Sequence, residues 1–260
     1  MKEVIKKYKA IIIVISAILA VTCICTIVDL NINKKEEEIH NKLVMVTEAC
    51  FPPYEYTDIN GEKAGVDIDV AKEIAKAMDM ELVIKDISFD LILDEIQNEK
   101  ADFAAAAISI SEERAKSVDF SVEYATSKQV VIARKTNTSI NAVEDLKDKI
   151  IGVQLGSVGE KIATEKYPGA EIVGEKKISK CVENLIKGDI DVMVVDHLPA
   201  EKFVQQNTSL KILDTPLCED RYGIAVKKGN TELLQEINIV LAKLKRENKI
   251  AEFTLRHSDI

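Results

Sequence analysis

Residues Ala107–Phe120 read AISISEERAKSVDF and follow three further alanines, Ala104 to Ala106. Small residues running into serines and then a charged run predict a short strand, a polar turn and the start of a helix. Ser111 is placed as the N-cap, and Glu112 and Glu113 suit the positive pole of the helix dipole. Arg114 does not suit it, because a cation in the first turn faces the wrong end of that dipole. Its presence there needs a reason outside its own helix.

The chain around this stretch holds 260 residues, 47% of them hydrophobic, enough to bury one large core or two smaller ones. The amino-terminal part stands apart. MKEVIKKYK carries four lysines and one glutamate, and Ala10–Val28 (AIIIVISAILAVTCICTIV) is nineteen residues without a charge. That run is long for a signal-peptide apolar region and just long enough to span a bilayer. The lysines ahead of it place the amino terminus inside and the rest of the chain outside. LAVTC (Leu19 to Cys23) loosely resembles a lipobox, with threonine where glycine, alanine or serine is usual. Residues 1–28 are therefore expected to be a signal or membrane-anchor segment, with either a lipidated Cys23 or a retained helix as tether. Residues 29–42 read as a polar spacer.

From Leu43 onward there are 28 Lys+Arg against 39 Asp+Glu. This excess of acid argues against nucleic acid and against an anionic membrane surface as partners. Cys50, Cys181 and Cys218 form neither a disulfide framework nor a CxxC zinc site, and the three histidines are scattered. No metal, cofactor or catalytic constellation is expected.

Beyond the spacer, β-branched runs alternate with amphipathic stretches. Strands are predicted at 43–47, 81–86, 101–107 and 150–154. Helices are predicted at 67–78, capped by Asp67, at 89–98, and at 231–248 with Leu233, Leu234, Ile237, Leu241 and Leu244 on its apolar face. SKCVENLIKGDIDVMVVD (179–196) reads as a helix closed by Gly188 and then a buried strand. Such alternation implies α/β architecture with parallel strands and crossover helices, and two runs of similar size imply two lobes.

Four segments then come in order: VTEACFPPYEYTDINGEKAGVDIDVAKEIAKAM (46–78), ADFAAAAISISEERAKSVDFS (101–121), IIGVQLGSVGEK (150–161) and DVMVVDHLPA (191–200). Together they resemble the polar-amino-acid branch of bacterial extracellular solute-binding proteins, the capture subunits of ABC importers. The resemblance covers nearly everything from Leu43 to the end. It implies a two-lobed periplasmic-binding-protein-like fold of type II, with two hinge strands and a ligand cleft between the lobes. The crossings are placed near Ser127–Val131 and Pro216–Asp220, so that 43–128 plus 218–260 make lobe one and 129–217 lobe two.

A free amino acid offers a carboxylate and an ammonium, and both must be paired on leaving water. On this reading the Arg114 guanidinium holds the carboxylate with two parallel hydrogen bonds. Ser109 adds its N–H and hydroxyl, and the N–H groups of Ser157 and Val158 close from the GSVG turn. The Ala107 carbonyl accepts from the ammonium. Asp196, ending the apolar strand, matches the family's ammonium-binding aspartate and obeys the rule that ligands sit at the carboxyl ends of α/β strands. The resemblance also implies Phe51 and Phe89 on either side of the ligand, with Glu48 and Tyr54 nearby. Each residue alone has an ordinary structural explanation; the ordered set points to a site.

The expected function is an extracytoplasmic receptor that closes on a free basic or neutral polar amino acid and presents it to a membrane permease, as a monomer. Two other classes remain open at this stage. Cyclohexadienyl dehydratases share the fold, with Glu48 or Asp196 then acting as general acid. An anchored sensor domain would need a partner chain.

Overall fold

The computed structural model describes residues 42–258; the tether segment, the question of Cys23 and the spacer up to residue 41 lie outside them, while Lys42, expected in the spacer, opens the first strand. Two main sheets organise this part. One has five strands in the order Glu81–Asp86, Lys42–Thr47, Phe103–Ala104, Ala225–Lys227, Val118–Phe120. The other has the order Glu171–Glu175, Ile150–Gln154, Val192–Asp196, Ala125–Arg134, Leu210–Ile212, with Cys218–Tyr222 also on Ala125–Arg134. A small three-stranded sheet, Cys50–Phe51, Glu55–Thr57 and Lys63–Ala64, carries the loop after the first strand.

The sheets are mixed rather than purely parallel. Lys42–Thr47 pairs in parallel with Phe103–Ala104, and Ile150–Gln154 with both Glu171–Glu175 and Val192–Asp196. Ala225–Lys227 and Ala125–Arg134, however, pair antiparallel with all their neighbours. These antiparallel pairs join strands distant in the sequence, with Ala225–Lys227 returning to the first sheet after the chain has built the second.

Ala125–Arg134 and Cys218–Tyr222 lie side by side, with Ser127 opposite Asp220 and Ala125 opposite Tyr222. Beyond this ribbon Ser109 bridges to Tyr222. Val46, Ile92, Ile96, Ala104 and Ile108 form a buried cluster behind the first sheet, and Val131, Ile151, Val153, Ala163 and Val194 one behind the second. A third cluster runs from Ile74 and Leu241 through Tyr124 and Tyr222 to Val130 and Ile132, so apolar packing continues along the ribbon.

Local expectations were met in part. Helix Ile178–Lys187 ends at Gly188 with φ 91, the left-handed cap, and Thr231–Arg246 buries Leu233, Ile237, Leu241 and Leu244. Three differ. After Ser111 the chain makes only a 3-10 turn, Arg114–Lys116, so there is no macrodipole for Arg114 to oppose. Ser111 still accepts the Arg114 N–H at 3.2 Å. The 101–107 strand shrinks to Phe103–Ala104. The helix predicted from Asp67 spans Val66–Ala77 and is entered through Gly65, φ 128, where any Cβ would run into the Tyr54 carbonyl. Asp67 is buried inside that helix and does other work.

Candidate ligand-binding site

All nine residues expected at the site (Glu48, Phe51, Phe89, Ala107, Ser109, Arg114, Ser157, Val158 and Asp196) line one pocket. Glu48 to Arg114 come from segments around the first sheet, and Ser157 to Asp196 from ends of strands in the second. The geometry gives each a more specific task than its sequence position could.

The Arg114 guanidinium donates to the Ser109 carbonyl and to the Gly156 carbonyl, each at 2.8 Å. It lies over the Phe89 ring, 5.6 Å from the centroid, a cation–π distance. Burial pushes its pKa down, while Asp220 and Asp196 pull it back. Two donors are thus spent on holding the group flat, and a guanidinium has five. The rest of the planar fork is left for an anion.

Ser109 is almost fully buried, and its hydroxyl donates to Asp220 at 2.6 Å. The hydroxyl is therefore committed, contrary to the expectation that it would be offered to a ligand. Ser157 is similar. Its hydroxyl caps helix Val158–Lys166 by accepting the Glu160 N–H at 3.1 Å, and its own N–H reaches the Gln154 carbonyl at 3.2 Å. Val158 stands at the first helical position, where a backbone N–H has no partner within the helix. Gly156 in the same turn has φ 76 and brings its backbone against Asp90 across the cleft.

Asp196 precedes helix His197–Gln206 but gives it no side-chain cap. Its carboxylate accepts the Tyr222 hydroxyl instead. Burial raises its pKa to about 6, with Tyr222, Gln129 and Ser127 opposing the rise and Asp220 adding to it. A positive group beside it would remove that penalty.

Glu48 is 2% exposed, with one oxygen taking the Cys50 thiol and the other the Gln154 amide at 3.3 Å. Burial holds its carboxyl above the ordinary range, and these two donors work against that. The Cys50 thiol is itself driven up by burial and by Glu48, which keeps it un-ionised and removes it as a nucleophile. Phe51 and Phe89 both face the pocket; Tyr54 packs edge-on to Tyr222 in the core and does not line it.

Ala107 has φ 44, a left-handed conformation that an alanine adopts at some cost. Its N–H is held by buried Asp67 at 2.8 Å. Sequence reading missed Glu55, Gln129 and Gln154 among the lining residues. Gln154 was detectable as the polar end of the apolar strand IIGVQ, at the carboxyl edge where α/β sites form. Gln129 alternates with Ser127 ahead of a run of valines. Glu55 carried no signal, since a glutamate between tyrosines reads as a surface hairpin.

Known proteins give the same picture from outside. The arginine-binding extracellular protein ArtP of Bacillus subtilis is 28% identical over 223 residues, 84% of this chain and 86% of that one. The crystal structure of the amino acid ABC transporter substrate-binding protein AbpA from Streptococcus pneumoniae, bound to L-arginine, superposes with a TM-score of 0.82 at 31% identity. That match covers 85% of this chain and 96% of AbpA. An ancestral arginine-binding protein bound to glutamine matches at 37% identity and a TM-score of 0.80, covering 84% and 97%. These are two-lobed binding proteins, and the two sheets joined by paired strands are that fold. Residues 43–258 match the family described as bacterial extracellular solute-binding proteins, family 3, and the chain belongs to it.

Proposed function

We propose that this protein captures a free L-amino acid outside the cytoplasm and delivers it to the membrane permease of an ABC importer. One observation carries the reading: Arg114 and Asp196 line the same pocket, with acidic Glu48 lining it as a third charged group. Arg114 takes the carboxylate, assisted by the Val158 N–H; Asp196 and the Ala107 carbonyl take the ammonium. Glu48 and Gln154 face the ligand's side chain, with Phe51 and Phe89 beside it. An acceptor and an amide donor side by side suit a cationic or a neutral polar side chain and repel an acidic one. The relatives bound to arginine and to glutamine support that range.

The lobes are taken to divide at 43–128 plus 218–260 against 129–217, with Ala125–Arg134 and Cys218–Tyr222 as the hinge ribbon. Closure uses contacts that exist only when the lobes meet, such as Arg114 to Gly156. A lipid on Cys23 at the start of the mature chain, or the apolar segment Ala10–Val28 retained as a helix, tethers a monomeric receptor to the outer face of the cytoplasmic membrane. Mass spectrometry of membrane-extracted protein separates the two forms, and a mainly free, truncated protein excludes both.

The test of function is a thermal-shift screen of the twenty amino acids on the full-length chain in detergent. A ligand bound only by the folded state stabilises by about 2.7 kcal/mol at a hundred times its dissociation constant. Shifts from arginine, lysine, histidine or glutamine are expected, and no shift from any amino acid refutes the reading.

A further inference from the structure

Beneath the pocket lies a carboxyl pair that the binding scheme above leaves unused. Asp67 and Glu55 are 0% and 1% exposed, and their carboxyl groups lie within reach of one another. Two ionised carboxylates are acceptors only, so a hydrogen bond between them needs a proton on one. The structure says which. Asp67 accepts the Ala107 N–H with Oδ2 at 2.8 Å and the Tyr124 hydroxyl with Oδ1 at 2.7 Å. With both oxygens receiving donors, Asp67 is the ionised partner and Glu55 supplies the proton between them.

The surroundings agree. The groups that face Glu55 are Asp67 on helix Val66–Ala77, Glu48 after the first strand and Asp196 from the second sheet. Tyr54 and Tyr124 lie beside the pair, and each phenol is itself pushed up by burial and by these acids. Burial, and then Asp67, hold the Glu55 carboxyl well above the ordinary range. Burial raises Asp67 to about 6, held back by its donors. Glu55 also lines the pocket, and among the described residues its Oε2 meets no donor.

We propose that Glu55 and Asp67 share one proton and act together as positioning residues for the ligand's ammonium. Asp67 pins Ala107 in the left-handed conformation in which it lines the pocket. Neutral Glu55 gives Asp67 a third donor without adding a second negative charge. An ionised Glu55 would place two buried carboxylates in contact, and one of the two would have to move or take up a proton. This rests on the reading of the pocket as an amino-acid site.

Two measurements on the full-length chain in detergent test it. The first needs no ligand: an infrared difference spectrum between wild type and Glu55→Gln near neutral pH. The expected result is a neutral carboxylic-acid carbonyl band in the wild type that the variant lacks; absence of that band overturns the proposal. The second is calorimetric titration with the amino acid that gives the largest thermal shift. Glu55→Gln, whose amide donates to Asp67 as the acid does, is expected to bind within threefold of wild type. Asp67→Asn cannot accept from both Ala107 and Tyr124, and it is expected to bind at least tenfold more weakly while remaining folded by circular dichroism. A folded Glu55→Gln that loses tenfold or more, or an Asp67→Asn that binds like wild type, overturns the proposal. If Asp67→Asn does not fold, the infrared band and Glu55→Gln decide. A wild type that binds no amino acid would sink the proposed function, while the infrared result would still judge the shared proton.

Discussion

Replacing Arg114 by lysine is the sharpest test of the pocket, because it keeps the charge and removes only the geometry. The guanidinium sits between two carbonyls at 2.8 Å and against the Phe89 ring. That fixes its plane before a ligand arrives, so little further ordering is needed to present the remaining donors as a pair. An ammonium on a flexible stem cannot reach both carbonyls and also grip a carboxylate at two points. Losing one partner of a buried, hydrogen-bonded charge pair costs about 2–5 kcal/mol. At roughly 1.4 kcal/mol per factor of ten, that is about thirty- to several-thousand-fold in affinity. Arg114→Ala should fall toward the upper end and Arg114→Lys toward the lower. Most of the loss should appear in the dissociation rate, since the encounter is little changed. Isothermal titration calorimetry gives the affinity and stopped-flow fluorescence the rates. Melting temperature without ligand serves as the control, because the two released carbonyls at the cleft can be taken over by water. Arg114→Lys binding within threefold of wild type would refute the argument.

Further outcomes at three other residues follow from the same geometry. Asp196→Asn should weaken binding by a comparable factor yet stabilise the empty protein at neutral pH, by up to about 3 kcal/mol for a carboxyl moved from 3.8 to about 6. In that window the folded wild type holds more protons than the unfolded chain, so its ligand-free stability falls as pH rises; thermal melts of both proteins across pH 4–7 check the sign. The ligand's ammonium needs Asp196 ionised, so wild-type affinity should fall as pH drops below about 6, and a flat calorimetric profile there would count against the pairing. Glu48→Gln should lower the preference for arginine over glutamine in competition titrations, and an unchanged ratio, or a wild type that prefers glutamate, removes Glu48 from specificity. Gly156→Ala puts a Cβ at φ 76 and 3.2 Å from the Asp90 Cα. The strain of about 1–2 kcal/mol and the obstruction to closure should cost roughly tenfold in affinity, and unaltered binding would show that this approach is not part of the closed state.

What the sequence determined by itself was the set of elements and the edge of each sheet that bears the chemistry. Apolar periodicity placed the long helix at 231–248, observed as Thr231–Arg246, and the buried strand ending in Asp196, because periods of 3.6 and 2 are local properties. The order of motifs was enough to collect Arg114, Ser109, Val158 and Asp196 for one pocket. The tertiary structure decided how those groups are employed. Arg114 first looked like an ill-placed helix residue; its turn proved too short for a dipole, and its partners are the carbonyls of Ser109 and Gly156, 42 residues away for the second. The Ser109 hydroxyl and the Ser157 N–H looked like donors to a ligand, but the Asp220 carboxylate and the Gln154 carbonyl already accept from them. Asp67 looked like a helix cap, because an aspartate before an apolar run usually is one. It instead faces Ala107, Tyr124 and Glu55, 40, 57 and 12 positions away in the chain. A local pattern tells which face of an element is buried. It cannot tell which distant donors will meet a buried carboxylate, since that depends on how separate elements are brought together, and a carboxylate's charge state depends on those donors.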